Sequence, residues 1–126
     1  MDETPDFDLV AASLRADAND LRLYLESLTT KLDQSFPGRC RVQRAGVLRK
    51  GPVRQVSVEL GDSRYELTRD DRGGVSARRL SIVRGIALKS EELSLDAWID
   101  SLAAHVVAEA DRSERGRLAV EKLLNG

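Results

Sequence analysis

Ser101, His105 and Glu109 are spaced four residues apart, so on a helix they would share one face. A hydroxyl, an imidazole and a carboxylate are the groups that nucleophilic hydrolysis uses. One helix face, however, supplies neither an oxyanion hole nor a strained nucleophile. The sequence therefore predicts a structural or surface role for His105, which is the only histidine of the chain.

The single cysteine, Cys40, alternates with Arg39 and Arg41, and cationic neighbours can lower the pKa of a thiol and make it reactive. The same alternation turns Cys40 away from the arginines, where it would be a small buried hydrophobic residue. One histidine and one cysteine cannot form a structural zinc site, and the sequence contains neither an EF-hand loop nor a GxxxxGK[ST] phosphate loop. We therefore expect a protein that is not an enzyme and that uses no cofactor and no metal.

Charge is strongly segregated along the 126 residues. The net charge is −5 over residues 1–38, +8 over 39–89 and −4 over 90–126, although the whole chain carries −1. Segregated charges orient protein partners, and a basic sheet can also meet phosphate backbones. The predicted interaction surface consists of Arg39, Arg41, Arg44, Arg49, Lys50, Arg54, Arg64, Arg78, Arg79 and Arg84.

Three kinds of partner fit this basic segment: the acidic helices of the same chain or a second copy, a separate protein, or nucleic acid. Sheets that bind single strands stack bases on exposed aromatic rings, whereas the only aromatic residue in the predicted strands, Tyr65, faces inward by its parity. We expect a non-catalytic protein-interaction or adaptor module that self-associates as a homodimer. The alternative is sequence-tolerant nucleic-acid binding by the arginine-rich sheet. Acidic residues covering the exposed face of the sheet would argue against this alternative.

Helical periodicity marks the first third of the chain. Thr4 and Pro5 are suited to begin a helix, Asp17 could cap a second start, and Pro37-Gly38 must end it. Leucines and one alanine recur in steps of four and three, and we favour packing of this seam on a sheet over pairing with another copy. The seam is Leu14, Ala18, Leu21, Leu25, Leu28 and Leu32.

The last third is also helical. Ser94 is suited to cap a helix whose apolar side begins at Trp98. Ser113 could cap a further helix, or Gly116 could merely weaken one long helix. Both alternatives are open at this point.

Between these helical parts the apolar residues alternate with period two, which is typical of half-buried strands. Alternation runs over 39–43, 53–60, 63–69 and 75–88, with a bulge expected at Arg78-Arg79. The sequence predicts an α+β fold: an N-terminal helix, a four-stranded antiparallel meander, and one or two C-terminal helices, all packed on one face of the sheet. The length fits a single domain over 1–126, with 1–16 as a segment that could be loosely attached.

Arg84 interrupts the apolar alternation of LSIVRGIALKS (80–90). A buried arginine without a partner is too costly to keep, and Gly85 permits a bulge or kink that would swing the side chain away. We expect Arg84 to turn outward or to lie at the rim of the sheet. A structural ion pair and a ligand contact are the alternatives.

The stretch ARRLSIVRGIALKSEELSLDAWIDSLAAHV, together with FPGRCRVQR and the leucine-rich first helix, resembles a family of small uncharacterised proteins of high-GC actinobacteria over nearly the whole chain. No activity is established for that family, so the resemblance implies no site residues. The order helix, meander, helix is also similar to small dimeric α+β binding modules such as secretion chaperones and nucleoid-associated proteins. The acidic first residues, the single cysteine and the lack of a long apolar run predict a soluble cytoplasmic protein with no membrane partner.

Overall fold

The computed structural model describes residues 7–16, 21–46, 48, 50–70, 72 and 74–125, and of residues 21 and 22 it describes the backbone alone. The fold is α+β, as predicted, with an antiparallel sheet between helices at both ends, but two helices precede the sheet where the fold prediction had one. The elements in chain order are α1 (Phe7–Arg15), α2 (Leu21–Ser35), β1 (Cys40–Arg44), β2 (Val53–Leu60), β3 (Ser63–Arg69), β4 (Val75–Val83), β5 (Ile86–Leu93), α3 (Leu95–Arg112) and α4 (Glu114–Asn125).

The sheet has five strands in the order β1-β2-β3-β4-β5, so the prediction of four strands is wrong by one. The segment predicted as one last strand is a hairpin whose two-residue turn is Arg84-Gly85. Both turn residues have positive φ, 52° and 81°, which is the conformation that two-residue hairpin turns require. The predicted bulge at Arg78-Arg79 is also wrong, because the register shifts at Ser81/Ile82 instead.

The leucine seam packs inside the chain. Leu14, Leu25, Leu28 and Leu32 are each at most 1% exposed, and α2 lies against β1 and β2. The expected packing of this seam on a sheet is therefore confirmed for α2. The predicted helix starts at residues 4, 5 and 17, and Ala18 of the seam, lie outside the described residues.

Both serine caps at the C-terminal end are confirmed. Ser94 Oγ accepts a hydrogen bond from Ala97 N at 3.1 Å and begins α3. Ser113 Oγ accepts a hydrogen bond from Gly116 N at 2.9 Å, so a separate helix begins at this serine. Of the two alternatives, a further helix and one long helix weakened by Gly116, the first is therefore correct. The last turn of α3 also ends at this serine, because Ser113 N donates to Glu109 O at 3.1 Å.

One face of the sheet is covered by helices, and the core lies between the two layers. Val56, Val58 and Tyr65 point into it and are at most 1% exposed. Trp98 on α3 is fully buried and donates its indole N–H to Arg78 O at 3.1 Å, which ties α3 to β4. In the part of the chain that the structure describes, no helix combines the length and hydropathy that a membrane span needs.

Candidate interaction surfaces

The open face of the sheet, the one turned away from the helices, carries charges of both signs. Strand register places alternate residues of all five strands on it. Arg64 Nη2 lies 2.6 Å from Glu59 Oε1, and Arg78 is paired in register with one glutamate on each neighbouring strand. Cross-strand pairing places three arginines and three glutamates on this face: Arg41, Arg64, Arg78, Glu59, Glu66 and Glu92. Arg54, the unpaired residue that follows inward-facing Val53, adds a fourth cation at its border.

Other predicted site arginines form ion pairs on the helix side of the sheet. Arg44 Nη1 lies 3.4 Å from Glu26 Oε2 on α2, and the other oxygen of that carboxylate accepts a hydrogen bond from Val53 N at 3.0 Å. Arg39 Nη1 lies 3.8 Å from Glu109 Oε2 on α3. The basic strands and acidic helices therefore neutralise each other in part within one chain.

The ten predicted residues do not form one continuous surface. Arg84 is exposed at the tip of the β4–β5 turn, which confirms that it turns outward. Lys50 and Arg54 are exposed near the start of β2, while Arg49 lies outside the described residues. The others are divided between the open face (Arg41, Arg64, Arg78) and the helix side (Arg39, Arg44, Arg79).

The β4–β5 hairpin exposes apolar side chains, two of which, Ile86 and Leu88, belong to the alternating apolar row of residues 80–88. Val83 is 47% exposed, Ile86 63% and Leu88 67%. Every residue of β5 from Ile86 to Glu92 is exposed, and β5 is the last strand of the sheet. The sequence signal for this hairpin was Gly85, since glycine commonly occupies a two-residue hairpin turn.

The histidine is part of a hydrogen-bonded cluster at a shallow cleft of about 590 Å³. The Tyr65 hydroxyl lies 3.0 Å from His105 Nδ1 and 3.3 Å from Ser101 Oγ, and Arg79 Nη1 donates to the same serine oxygen at 3.0 Å. The His105 ring also meets Tyr65 edge-on, with centroids 5.8 Å apart. This arrangement orients the buried phenol of Tyr65 and matches the structural role predicted for His105.

The electrostatic surroundings of His105 lower its pKa. Partial burial is the largest cause, and the cations Arg112 and Arg79 act in the same direction. The carboxylates of Glu109 and Asp62 oppose the shift. The imidazole is therefore neutral over a wider pH range than a free histidine.

Cys40 lies on the helix side of β1 and packs against the core. Burial raises the pKa of its thiol to about 11, and the charge of Asp33 acts in the same direction. The thiol is protonated at neutral pH, so the predicted role as a small hydrophobic residue holds and the reactive alternative has no electrostatic support.

A second cavity, of about 350 Å³, lies where the end of α2 meets α4. Ser35 closes one side, and its Oγ is buried with no hydrogen-bond partner. Two arginines, Arg39 and Arg115, also line the cavity. The remaining lining residues are Phe36, Pro37, Gly116 and Ala119.

Among the described residues, no group of three or more His, Cys, Asp or Glu side chains is placed to hold a metal ion. Comparison of the chain with models of protein families, with curated proteins and with solved structures found no match.

Proposed function

We propose that this protein is a non-catalytic interaction module that pairs with a second copy of itself through the outer edge of β5. The observation that carries the proposal is the exposure of this strand: from Ile86 to Glu92 every residue is exposed. An edge strand presents a row of backbone donors and acceptors that another strand can pair with. Apolar side chains at its tip add a hydrophobic contribution to such pairing.

The opposite edge of the sheet is protected against pairing, and β5 is less so. β1 has only five residues, carries Arg41 and Arg44, and shifts register between Gln43 and Arg44. Short length, charge and irregular register are the features by which natural sheets protect an edge. β5 also carries charges (Lys89, Glu91 and Glu92) and a register shift in its pairing with β4. It differs from β1 in its length of eight residues and in its apolar tip, where Ile86 and Leu88 are both more than 60% exposed.

Of the three antiparallel β5–β5 registers centred on Lys89, Ser90 and Glu91, charge favours one. With the two-fold axis at Ser90, Lys89 of each copy faces Glu91 of the other, and two opposite-charge pairs form. Registers centred on Lys89 or on Glu91 place like charges directly opposite each other, which destabilises antiparallel pairs. All three registers keep the helices of both copies on the same side of the sheet, because Lys89 and Glu91 share the helix-side face with Ser81 and Arg79.

Pairing of β5 with β5 closes the assembly at two copies, since the contact is the same on both sides. Pairing of β5 with β1 would be head-to-tail and would continue into an open chain. The two-fold contact gives one sheet of ten strands, with both protected β1 strands at its ends. It also leaves the open faces, with their alternating charges, free for a protein partner.

Sedimentation of charge variants tests the register. Lys89→Glu should raise the dimer dissociation constant about tenfold or more, because two attractive cross-strand pairs become repulsive. The double variant Lys89→Glu/Glu91→Lys restores both pairs between copies and should recover part of the affinity, because it also replaces the ion pair of Glu91 Oε2 with Arg79 Nη2 (3.4 Å) in each copy by a like-charge contact. The control Lys122→Glu makes the same charge change on exposed α4 and should leave the constant unchanged.

Crosslinking tests the position of the axis. In a Cys40→Ser background, Ser90→Cys should form a disulfide between copies under mild oxidation, because residues facing each other across a strand pair lie within reach of a disulfide. Ser81→Cys, exposed on the neighbouring strand β4, should not. A wild-type protein that sediments as a monomer over a hundredfold range of concentration would refute the proposal.

Nucleic-acid binding stays the alternative prediction, but the glutamates that lie beside Arg64 and Arg78 on the open face do not favour it. A salt titration with duplex DNA distinguishes the two. Binding that neutralises phosphates should give a slope of roughly −0.9 per phosphate in log K against log salt. Under the interaction-module proposal no binding is measurable even at low salt.

A further inference from the structure

The cavity at the end of α2 has features that neither self-association nor the packing of the core accounts for. Its volume of about 350 Å³ lies within the range of small-molecule sites, roughly 300–1,000 Å³. Three separate segments line it: the end of α2, the turn that leads to β1, and the start of α4. Its lining combines cations, a hydroxyl and apolar groups.

The hydroxyl is that of Ser35, a residue only 5% exposed. Its Oγ has no hydrogen-bond partner within the described part of the protein. Most buried polar side-chain atoms in proteins are hydrogen-bonded, so each exception requires an explanation. Ser35 is among the residues that line this cavity, but its Oγ has almost no accessible surface, so an acceptor or donor in the cavity would satisfy it only after the side chain rotates.

The cations are Arg39 and Arg115. Arg39 has only a long contact to one carboxylate, 3.8 Å to Glu109, and keeps 37% of its side chain exposed. Arg115, on the first turn of α4, takes part in none of the ion pairs found among the described residues. Two guanidinium groups with unused donors favour an oxyanion, which they can hold by charge-assisted hydrogen bonds.

The remaining wall is apolar and rigid. Phe36 is 4% exposed and Ala119 5%, so both are held by the core. Pro37 has no backbone donor to offer, and Gly116 contributes no side chain. An aliphatic or aromatic group of modest size would fit against this wall, while its charged end meets the arginines.

We propose that this cavity binds a small amphipathic oxyanion, a carboxylate or a phosphate carried on a compact apolar group. Arg39 and Arg115 hold the charge, Ser35 donates its hydroxyl to the same oxygens once its side chain has rotated, and Phe36 with Ala119 packs against the apolar part. The site lies outside the β5 edge and does not depend on the dimer.

Calorimetric titration with four probes of equal chain length tests the chemistry. Octanoate and octyl phosphate should both bind, and the tighter of the two identifies the anion that the site prefers. 1-Octanol, which lacks the charge, should bind at least about tenfold more weakly, in line with the worth of charge-assisted hydrogen bonds. Octylammonium should not bind, because its charge is the same as that of the arginines.

Variants locate the site. Arg115→Gln should weaken octanoate binding by about ten- to a hundredfold, the range expected for loss of a hydrogen bond to a charged group. Arg117, two residues further along α4, is also exposed but does not line the cavity, so Arg117→Gln should leave octanoate binding unchanged. Ser35→Ala should also weaken binding while leaving the circular dichroism spectrum as it is.

Three results would overturn the proposal: no heat with either anion, equal affinity for octanoate and 1-octanol, or equal losses from Arg115→Gln and Arg117→Gln. None of them bears on self-association, because none of these variants touches β5.

Discussion

Replacing Gly116 by alanine sets two opposing effects against each other. Gly116 lies in the first turn of α4, where its N–H donates to Ser113 Oγ. Glycine is a poor helix former, so on propensity alone Gly116→Ala should stabilise the protein by about 1 kcal/mol. The packing of α4 against α3 predicts the opposite sign.

The clash can be worked out from the backbone. A Cβ at this position would overlap Glu109 O and lie 2.8 Å from Ala110 N, whereas ordinary contacts are 3.4–4 Å. Both neighbours are backbone atoms of α3, so neither can rotate away, and α4 would have to move by about 1 Å. Inserting a methyl group into a packed contact costs about 1–3 kcal/mol, and a rigid neighbour places this case at the upper end. The net expectation is a loss of about 1–2 kcal/mol.

Urea unfolding followed by circular dichroism and by Trp98 fluorescence measures this free energy. The midpoint should fall with little change in the m-value, since the fold is retained. Arg117→Ala is the control, because this exposed neighbour in the same helix should change the stability by less than about 0.5 kcal/mol. If Gly116→Ala were as stable as the wild type or more so, the close contact between α3 and α4 would be refuted.

Three further predictions concern single side chains. Arg84→Asn should stabilise the protein by about 0.5–1 kcal/mol, because asparagine tolerates the positive φ of this turn. Arg84→Leu should leave the urea midpoint nearly unchanged. A severe loss of stability in Arg84→Leu would instead favour a structural ion pair. In the wild type the buried Tyr24 hydroxyl donates a hydrogen bond to Leu14 O at 2.6 Å. Tyr24→Phe leaves that carbonyl without its partner and should lower the unfolding free energy by about 1–2 kcal/mol in the same assay. An unchanged urea midpoint would contradict this hydrogen bond. Because burial lowers the pKa of His105 below 6.5, its contribution to the unfolding free energy is complete above that pH and is lost as pH falls through the lowered value. His105→Gln should therefore reduce the fall in stability between pH 7.5 and 5.5, and an equal fall in both proteins would refute the assignment.

Local patterns in the sequence predicted the parts of the fold that depend on neighbouring residues. The helical ends, the alternation of β2 and β3, and the caps at Ser94 and Ser113 follow from periodicity and side-chain chemistry within a few positions. The β4–β5 hairpin did not, because an arginine at positive φ is rare and gives no turn signal of its own. The apolar residues after the turn alternate as they would in a buried strand. Ile86 and Leu88 are nevertheless exposed, because the helices do not extend over this end of the sheet, and local sequence does not encode how far the helices extend.

The charge of the open face shows the same limit. Counting along the chain indicates a basic middle third, but cross-strand pairs are set by register, and register brings Glu66 and Glu92 to either side of Arg78. The cavity beside Ser35 depends on a contact between α2 and α4, about eighty residues apart in the chain. Nothing in the local sequence of either helix indicates that contact.

The charged groups of the chain are thus paired in part within one molecule. Arg44 is committed to Glu26 and Arg64 to Glu59, so these cations have little left to offer a partner without first losing an internal one. A surface available for binding should instead consist of groups whose interactions are incomplete in the single chain. The unpaired outer edge of β5 and the cavity beside Arg115 meet that criterion, and for this reason the proposed functions rest on them and not on the number of arginines.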